Sequence, residues 1–478
     1  MDTNKLSKFD ALIQDSRIKQ AKRLIAEVFA DYQKGIAHPG SIDPDRSINQ
    51  VKAIANLEKL RGRPLYFPYL SSGIGKGSLV ELLDGSVKYD MITGIGVHYM
   101  GHNHADILDA SINAALEDTV MQGNLQQNDK ATLVSQKLIQ LATHNGANLE
   151  HCFLTSSGAM ANENAFKVMF QKRTPAKRLL AFRHCFAGRT IAASQVTDNP
   201  AYRAGIPENI AVDYIDFYQS DCHAESILQS AQQLQAHIAA HKDDYAGMIF
   251  ELVQGEGGFV PGNTEYFVEL MQILKANQIP IMIDEVQTFG RNPEVFAYQY
   301  FGLDKYVDVV SIGKMSQICA TLYAKEFNPK PGLLSQTFTS STSAIYAAEV
   351  ILTALESEGE NGYRGGNGKI AMLSQAVYSG LEALVAKHPT IAFGPFGLGG
   401  MLAFEVFDAS PKVTHAFCKY LFEQGVMTFV AGKERAKIRM LLPFGCITQE
   451  DIEQVLNIIE SSLVAFERDV LKSLKEGQ

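Results

Sequence analysis

Three short apolar runs at nearly equal spacing constrain the fold of this chain more than any other feature. They are GMIFELV at 247–253, IPIMIDE at 279–285 and VDVVSIGK at 307–314, with helical patterns between them. A spacing of about thirty residues is what successive βαβ units need, because each connection crosses the sheet as a helix. Strands that are apolar throughout are typical of a parallel sheet buried on both faces. The middle of the chain is therefore predicted to form a doubly wound α/β domain.

The two ends of the chain follow a different pattern. The first sixty residues are polar and helical in pattern, and 78–94 reads as a hairpin whose turn is Asp84-Gly85. Towards the other end, MLAFEVF and KIRMLLP predict strands, and 447–474 predicts a closing amphipathic helix. Both ends are therefore expected to form smaller α+β structure around the central domain.

These patterns divide the chain into three predicted segments. Residues 1–95 would form the N-terminal part of a small domain, 96–350 the large α/β domain, and 351–478 a C-terminal α+β domain. No long linker, internal repeat or low-complexity segment separates them, which favours one compact protomer.

Composition excludes several classes of function. The chain has 478 residues and a net charge of −9, and its basic residues are scattered, so neither nucleic acid nor an anionic membrane is an expected partner. Its six cysteines form no CxxC pair, which argues against a zinc module or a disulfide framework. The N-terminal sequence lacks the apolar core of a signal peptide, so we expect a cytoplasmic protein.

Two ionisable residues stand at the ends of predicted buried strands. Asp284 closes IPIMID, and Lys314 follows VVSIG. Parallel strands bring their carboxyl ends to one sheet edge, where open α/β folds bind ligands. A partly desolvated lysine has a lowered pKa and can act as an amine nucleophile. The alternative for Lys314 is a lysine whose stem is buried while its charge reaches solvent.

The stretch LTSSGAMANENAFK predicts an anion site. Small and hydroxyl residues at 156–159 lead directly into a helix, which leaves free backbone N–H groups at its positive end. An ordinary helix N-cap by Ser156 or Ser157 is the alternative.

Together these three features match what pyridoxal phosphate needs. The phosphate, the ring nitrogen and the aldehyde would each have a partner in the helix start, Asp284 and Lys314. Asp284 would keep the pyridine nitrogen protonated, and Gln287 would hydrogen-bond the phenolic oxygen of the ring.

At this point the chain resembles the class III aminotransferases of the type I pyridoxal-phosphate fold, and within them the lysine 6-, ornithine and 4-aminobutyrate aminotransferases. Seven segments carry the resemblance, in this order: 84–104, SSGAMANENAFK (156–167), FAGRT (186–190), ELVQGEGGFVPG (251–262), IDEVQTFGR (283–291), SIGK (311–314) and KIRMLLP (437–443). The resemblance implies a central, mostly parallel sheet flanked by helices, with a smaller α+β domain built from both chain ends.

The resemblance also implies roles for individual residues. Gly158 and Ala159 would bind the cofactor phosphate through their backbone, with Ser157 beside them. Phe186 would stack on the cofactor ring. Lys314 would form the internal aldimine and move the proton in the 1,3-shift, and Asp284 and Gln287 would act as given above.

Assembly follows from the same resemblance. Thr337 matches a threonine that reaches the phosphate of the neighbouring subunit, which implies a homodimer with its active site at the interface.

Three further residues are implied in substrate binding. Arg189 and Arg439 match positions that bind carboxylates of the amino donor or of 2-oxoglutarate. Glu256 matches the glutamate that pairs with the second arginine and swings away when the dicarboxylate arrives. The alternative is that these three residues form structural ion pairs.

The chain departs from the family pattern at four places. Ala187 stands where the family usually has histidine, and the loop after Thr288 is one residue short. SSTS at 340–343 replaces a glycine-glycine-asparagine-proline sequence, and MSQIC at 315–319 replaces a glycine-rich turn and is similar to lysine 6-aminotransferases. These departures bear on the amino donor and on activity.

The predicted function is transfer of the terminal amino group of an ω-amino or diamino acid to 2-oxoglutarate by pyridoxal phosphate. Lysine, ornithine, acetylornithine and 4-aminobutyrate are the candidate donors. The alternatives are an aminomutase of the glutamate-semialdehyde type, or a degenerate, non-catalytic member of the family. A nicotinamide-dependent dehydrogenase is disfavoured because no GxGxxG opens a helix after a strand.

Two other patterns are not expected to bind ligands. GIGKGS at 73–78 lacks the serine or threonine of a phosphate loop and is interpreted as a turn. His98, His102 and His104 lie close in sequence without a cysteine or carboxylate to complete a metal set, so no metal is expected.

Overall fold

The computed structural model describes residues 6–472 and 474. Residues 1–5, 473 and 475–478, which the predicted terminal segments include, lie outside the described residues. In chain order the strands are β1 (Ser71–Lys76), β2 (Leu79–Leu82), β3 (Val87–Asp90), β4 (Met121–Gln122), β5 (His151–Thr155), β6 (Arg178–Phe182), β7 (Ala211–Ile215), β8 (Tyr245–Phe250), β9 (Val253–Gln254), β10 (Val260–Pro261), β11 (Ile281–Asp284), β12 (Val309–Ile312), β13 (Cys319–Tyr323), β14 (Ser340–Ser341), β15 (Ala392–Leu398), β16 (Met401–Val406), β17 (Val426–Met427), β18 (Phe429–Ala431) and β19 (Lys437–Leu441).

Helices alternate with these strands through the middle of the chain and dominate its two ends. They are α1 (Lys8–Gln14), α2 (Ser16–Gln33), α3 (Pro44–Arg61), α4 (Thr93–Gly96), α5 (Ala105–Leu116), α6 (Asp129–Thr143), α7 (Gly158–Lys172), α8 (Ile191–Val196), α9 (His223–Ala240), α10 (Thr264–Ala276), α11 (Ala297–Tyr300), α12 (Thr342–Glu356), α13 (Lys369–Lys387), α14 (Pro411–Glu423) and α15 (Gln449–Phe466). Among the described residues, no helix combines the length and the apolar character that a membrane span requires.

A seven-stranded sheet forms the centre of the large domain. Its order is β5-β13-β12-β11-β8-β6-β7, and only β13 runs antiparallel to its neighbours. The strands β8, β11 and β12 are buried along their whole length, as their apolar sequences predict. This sheet confirms the α/β class and places the ends of β11 and β12 side by side, with Asp284 in register with Ser311.

Smaller sheets are built from both chain ends. β2 and β3 pair as the predicted hairpin, and β17 from the C-terminal part adds to β3 in parallel. The order of the other small sheet is β15-β16-β19-β18, entirely antiparallel. The division of the chain at residues 95 and 350 stays a prediction.

The structure differs from the sequence interpretation at GIGKGS. Residues 71–76 form strand β1, which pairs antiparallel with β2, so this segment extends the hairpin sheet instead of turning before it. Gly75 allows this packing because a Cβ there would lie 2.5 Å from the Cβ of His102. Of the glycines that resemble a phosphate loop, Gly75 is therefore needed for close approach of the chain.

Helix α7 packs on the central sheet and starts at its carboxyl edge. It packs on β5, β8, β12 and β13, and its buried face is Ala161, Ala165, Phe166, Val168 and Met169, with two buried asparagines at its start. The helix therefore begins at the same sheet edge at which β11 ends.

Candidate active site

A cavity of about 300 Å³ opens at the carboxyl edge of the central sheet. It is lined by Gly158, Ala159, Asn162, Phe186, Ala187, Gly188, Arg189, Glu251, Val253, Asp284, Val286, Gln287, Thr288 and Lys314. The structure thus brings together seven of the residues singled out from the sequence. Ser157, Glu256, Thr337 and Arg439 are not among the lining residues.

Asp284 is a buried carboxylate held by two donors. Its Oδ1 accepts the N–H of Val286 at 3.0 Å, and its Oδ2 accepts the side-chain amide of Asn162 at 2.8 Å. Burial raises the pKa of Asp284, while these hydrogen bonds and the charge of Lys314 oppose the rise. A cationic group in the cavity would be stabilised by this carboxylate.

Lys314 reaches the cavity from the neighbouring strand. It follows β12 with a φ of +55°, which is rare for a residue other than glycine and turns the chain out of the sheet. Burial lowers the pKa of Lys314, and the carboxylates of Glu256 and Asp284 partly oppose this effect. The amine is thereby closer to its neutral, nucleophilic form than an exposed lysine.

The start of α7 presents backbone N–H groups to the cavity. Ser157 is the N-cap, and its Oγ accepts the N–H of Met160 at 3.2 Å, which leaves the earlier amides of the first turn without helical partners. A Cβ on Gly158 would lie 2.7 Å from Val286 Cγ1. Glycine at 158 therefore allows the helix start to approach the turn after β11.

The segment 186–188 forms the opposite wall of the cavity and is fixed by three side chains. The backbone N–H of Phe186 donates to Glu251 Oε2 at 2.8 Å. The carbonyl of Ala187 accepts from Asn162 at 2.8 Å, and its N–H donates to Thr197 Oγ1 at 2.9 Å. Since this network fixes the backbone at Phe186 and Ala187, the histidine missing at 187 is not needed to order the loop.

Sequence reasoning missed all three side chains that hold this segment, Asn162, Thr197 and Glu251. Glu251 directly follows the buried strand β8, so the argument that identified Asp284 at the end of β11 applies equally to it. No comparable sequence signal marks Asn162, because a polar residue in the second turn of a helix is unremarkable.

Glu251 is expected to make stability depend on pH. Burial, with the nearby charge of Asp284, raises its pKa from 4.5 to about 8. Because the folded state binds this proton more tightly, the stabilisation is complete below pH 4.5 and is lost as pH rises through 8. Between pH 5 and 8, Glu251→Gln should therefore gain roughly 2–4 kcal/mol in unfolding free energy relative to the parent.

Denaturant unfolding of the cofactor-free protein at several pH values measures this gain. The matched control is Glu269→Gln, a change at an exposed position of α10 that should leave the pH profile unaltered. Parallel profiles for the parent and Glu251→Gln would contradict a raised pKa for Glu251.

Arg439 and Glu256 form an ion pair close to Lys314. Arg439, in β19, is fully buried, and its Nη2 donates to Glu256 Oε1 at 2.8 Å. Its guanidinium lies 5.5 Å from the ring centre of Phe259 and 5.4 Å from that of Phe429. Nε and Nη1 have no partner among the described residues, so Arg439 retains donors for a second carboxylate.

The backbone beside Glu256 is fixed although its side chain is not enclosed. The carbonyl of Glu256 accepts the N–H of Gly432 at 3.0 Å, and that of Gly258 accepts Lys437 Nζ at 3.1 Å. The Glu256 side chain is 35% exposed. A rotation of this side chain would therefore free Arg439 without moving the loop.

Arg189 and Thr337 lie further out. Arg189 is exposed at the mouth of the cavity, and its guanidinium carbon lies 4.0 Å from the ring centre of Tyr202. Thr337 is exposed, and its carbonyl packs against Gly123. The position of Thr337 outside this cavity leaves its predicted role in a partner's site as a prediction.

The shortened loop after Thr288 is ordered by buried groups. Glu285 accepts hydrogen bonds from the Thr288 hydroxyl and, at 3.0 Å, from the N–H of Tyr298. Arg291 is fully buried and donates to the carbonyls of Gly96 and Leu442 at 2.8 and 3.3 Å. The loop therefore contacts both the segment at Gly96 and the C-terminal segment at Leu442.

These residues fit pyridoxal phosphate in the donors and acceptors they offer. The first turn of α7 offers free N–H groups to a phosphate, and the buried carboxylate of Asp284 suits a protonated ring nitrogen. The side-chain oxygen of Gln287 is buried without a partner among the described residues, so this amide is available to a ring substituent. Lys314 supplies the amine for the aldehyde.

The comparisons with known proteins agree with this fit. The family model of the class-III aminotransferases matches residues 68–463. The mitochondrial acetylornithine aminotransferase of Saccharomyces cerevisiae is 26% identical over 410 residues, which cover 82% of this chain and 91% of that protein. The diaminobutyrate–2-oxoglutarate transaminase of Vibrio cholerae is 26% identical over 426 residues, covering 87% of this chain and 98% of that protein.

Solved structures share the fold. The lysine aminotransferase of Mycobacterium tuberculosis in its internal aldimine form superposes with a TM-score of 0.75 at 22% identity, over 86% of this chain and 99% of that one. The ornithine aminotransferase of Toxoplasma gondii gives a TM-score of 0.73 at 20% identity, over 87% and 96% of the two chains. The chain belongs to the class-III aminotransferases and is a pyridoxal-phosphate-dependent transaminase of the type I fold.

Proposed function

We propose that this enzyme moves the terminal amino group of an ω-amino or diamino acid to 2-oxoglutarate. The observation that carries the proposal is the buried Arg439–Glu256 pair beside Lys314. An arginine that can be neutralised by its own glutamate suits a site that accepts, in turn, a donor without a second carboxylate and a dicarboxylate acceptor.

Several residues would hold the cofactor, and one would transfer a proton. When bound, the cofactor supplies a carbonyl carbon for the amino group and a protonated ring that withdraws electrons. The start of α7 would hold its phosphate, Asp284 its ring nitrogen, and Gln287 its phenolic oxygen. Lys314 Nζ would accept the proton from the carbon that bears the donor's amino group and hold it for return.

The two arginines would bind carboxylates at opposite ends of the substrates. Arg189, at the cavity mouth, would bind the distal carboxylate of a long donor whose terminal amine points at Lys314. Arg439 would bind the second carboxylate of 2-oxoglutarate after Glu256 rotates away.

Lysine is the donor we propose first. The support is the MSQIC segment after Lys314, together with the fold shared with a lysine aminotransferase. Relatives named for acetylornithine and diaminobutyrate make these two the nearest competitors.

Product analysis with single donors tests the proposal. The purified holoenzyme would be incubated with 2-oxoglutarate and with lysine, ornithine, acetylornithine, diaminobutyrate or 4-aminobutyrate, and glutamate would be quantified. Glutamate formation with lysine well above the other donors supports the proposal. Formation of glutamate with none of these donors, or donor turnover that does not need 2-oxoglutarate, would contradict the proposed function.

Glu256→Gln should separate the two half-reactions. The variant leaves the buried charge of Arg439 unneutralised when a donor without a second carboxylate binds, so its kcat/KM for the donor should fall about tenfold or more. The dicarboxylate step should not be slowed, because 2-oxoglutarate no longer has to displace Glu256 from Arg439.

Arg439→Lys is the corresponding variant for the half-reaction with 2-oxoglutarate. It loses the planar fork, and the KM for 2-oxoglutarate should rise about tenfold to a hundredfold. Single-turnover rates for each half-reaction measure both effects, and an equal loss in both half-reactions for both variants would contradict the proposed exchange of partners.

The homodimer and the cytoplasmic location stay predictions.

A further inference from the structure

One buried asparagine joins two walls of the active-site cavity. Asn162 lies in the second turn of α7 and is 2% exposed. Its Nδ2 donates at 2.8 Å to Asp284 Oδ2 and at 2.8 Å to the carbonyl of Ala187. Both hydrogens of this amide are therefore used, one on each wall.

The contact with Asp284 fixes the direction of the carboxylate. The other oxygen, Oδ1, is bound by the N–H of Val286 from the turn that follows the strand. With a donor on each oxygen, the carboxylate plane cannot rotate freely. Removing Asn162 would leave one oxygen without this donor and the plane free to turn about the remaining bond.

The contact with Ala187 fixes the loop that carries the predicted ring-stacking residue. Phe186 is tied to Glu251 and Gly188 to Thr197, and Ala187 lies between them. Asn162 alone among these three holding side chains also contacts Asp284. It therefore sets the separation between the loop and the carboxylate.

Packing alone does not explain an asparagine here. Its Oδ1 is buried and has no partner among the described residues, and an unsatisfied buried polar atom costs stability. A leucine, which has the same branching and no polar atom, would leave no buried oxygen unsatisfied at this position. The amide group is retained at a position where only its two donated hydrogen bonds give a benefit.

We propose that Asn162 is a positioning residue for the cofactor, which holds the Asp284 carboxylate against the ring nitrogen and the 186–188 loop against the ring face. The inference rests on the roles given to Asp284 and Phe186 under the proposed function. It concerns cofactor binding, so it does not depend on which donor or acceptor the enzyme uses.

The chain supplies a matched control in the same helix. Asn164 is 1% exposed, and its Nδ2 has no partner among the described residues, so it makes neither of the contacts of Asn162. Asn162→Leu and Asn164→Leu thus make the same chemical change at two equally buried positions. Asn162→Asp keeps the shape of the side chain and removes the donor.

The test measures binding of pyridoxal phosphate without any substrate. Equilibrium dialysis of the full-length protein gives the dissociation constant, and visible circular dichroism per bound cofactor reports how firmly the ring is held. Asn162→Leu should weaken binding about tenfold to a hundredfold and reduce the dichroism. Asn162→Asp should weaken it as well, because a carboxyl that shares one proton with Asp284 can keep at most one of the two donated hydrogen bonds.

Asn164→Leu should leave both quantities within about twofold of the parent. Parent-like binding by Asn162→Leu, or equal losses in the leucine variants at 162 and 164, would overturn the proposal. If Asn162→Leu does not fold, as judged by thermal unfolding, Asn162→Asp decides by the same criteria. Failure of both to fold would assign Asn162 a structural role and also overturn it.

A failed donor assay leaves this result untouched, because no amino donor or acceptor is present. The parent protein must bind pyridoxal phosphate in the same dialysis. With that binding established, parent-like affinity in the Asn162 variants would refute the inference alone.

Discussion

Lys314→Ala should lower the rate of amino-group transfer by about ten-thousandfold or more. The variant loses both the amine that would bond to the cofactor aldehyde and the group that moves the proton. No second amine lines the described cavity, so nothing there replaces it. The measurements are the turnover rate with the preferred donor and peptide mass spectrometry after borohydride reduction, which fixes the cofactor on Lys314 in the parent only.

A lysine elsewhere in the chain provides the control. Lys369 also has a pKa lowered by burial, but it donates to the carbonyl of Gly445 at 3.3 Å and does not line the cavity. Lys369→Ala should keep the parent's turnover and reduction product. Partial recovery of Lys314→Ala by a small added amine would separate lost proton transfer from misfolding. A residual rate within about tenfold of the parent would show that another group does the chemistry.

The parts of this site that follow strand ends could be predicted from the sequence. A buried strand has an obvious apolar signature, and the residue after it must lie at the sheet edge, which located both Asp284 and Lys314. The helix start at the cavity followed from small residues before a helical pattern in the same way, and its role in phosphate binding stays a prediction. In each case a local sequence pattern predicts the position of the residue, because the strand ends and the helix start lie at the same edge of the sheet.

The parts that depend on contacts between distant segments could not be predicted in that way. Asn162 and Asp284 are 122 residues apart, and the Phe186–Glu251 contact joins residues 65 apart. Neither residue of such a pair carries a local signal of its partner. The interpretation of GIGKGS was wrong for a related reason, because Gly75 matches a turn pattern but allows close packing of β1 on His102, 27 residues further along the chain.

The resemblance to a family added what local patterns lack, since it linked segments far apart in the chain. The pairing of Glu256 with Arg439 joins residues 183 apart, and only the resemblance suggested it. The resemblance could not predict which contacts order the chain where it departs from the family pattern. Ala187 lacks the usual side chain, and the loop is ordered instead through its backbone, by Asn162 and Thr197.

Asp284→Asn should reduce turnover about a hundredfold to a thousandfold, because an uncharged amide no longer stabilises a protonated ring nitrogen in a buried site. The substitution is nearly isosteric, and its side-chain oxygen can still accept from Asn162. Asp284→Glu should recover part of the rate, since it restores the charge with imperfect placement. Steady-state rates of the three proteins at saturating cofactor measure the effect. A turnover rate for Asp284→Asn within about tenfold of the parent would refute the role of the carboxylate.

The same variant should have the opposite effect on stability. Burial raises the pKa of Asp284 in the cofactor-free protein, so the folded state binds a proton more tightly than the unfolded state. Stability from this group is complete below its ordinary pKa of 3.8 and is lost as pH rises through the folded value. Cofactor-free Asp284→Asn should therefore gain stability relative to the parent as pH rises, while it loses activity. Thermal unfolding of both proteins across pH checks this, and a stability difference between variant and parent that does not change with pH would contradict it. A cation bound beside this carboxylate would lower its pKa again and so offset the cost of burying the charge.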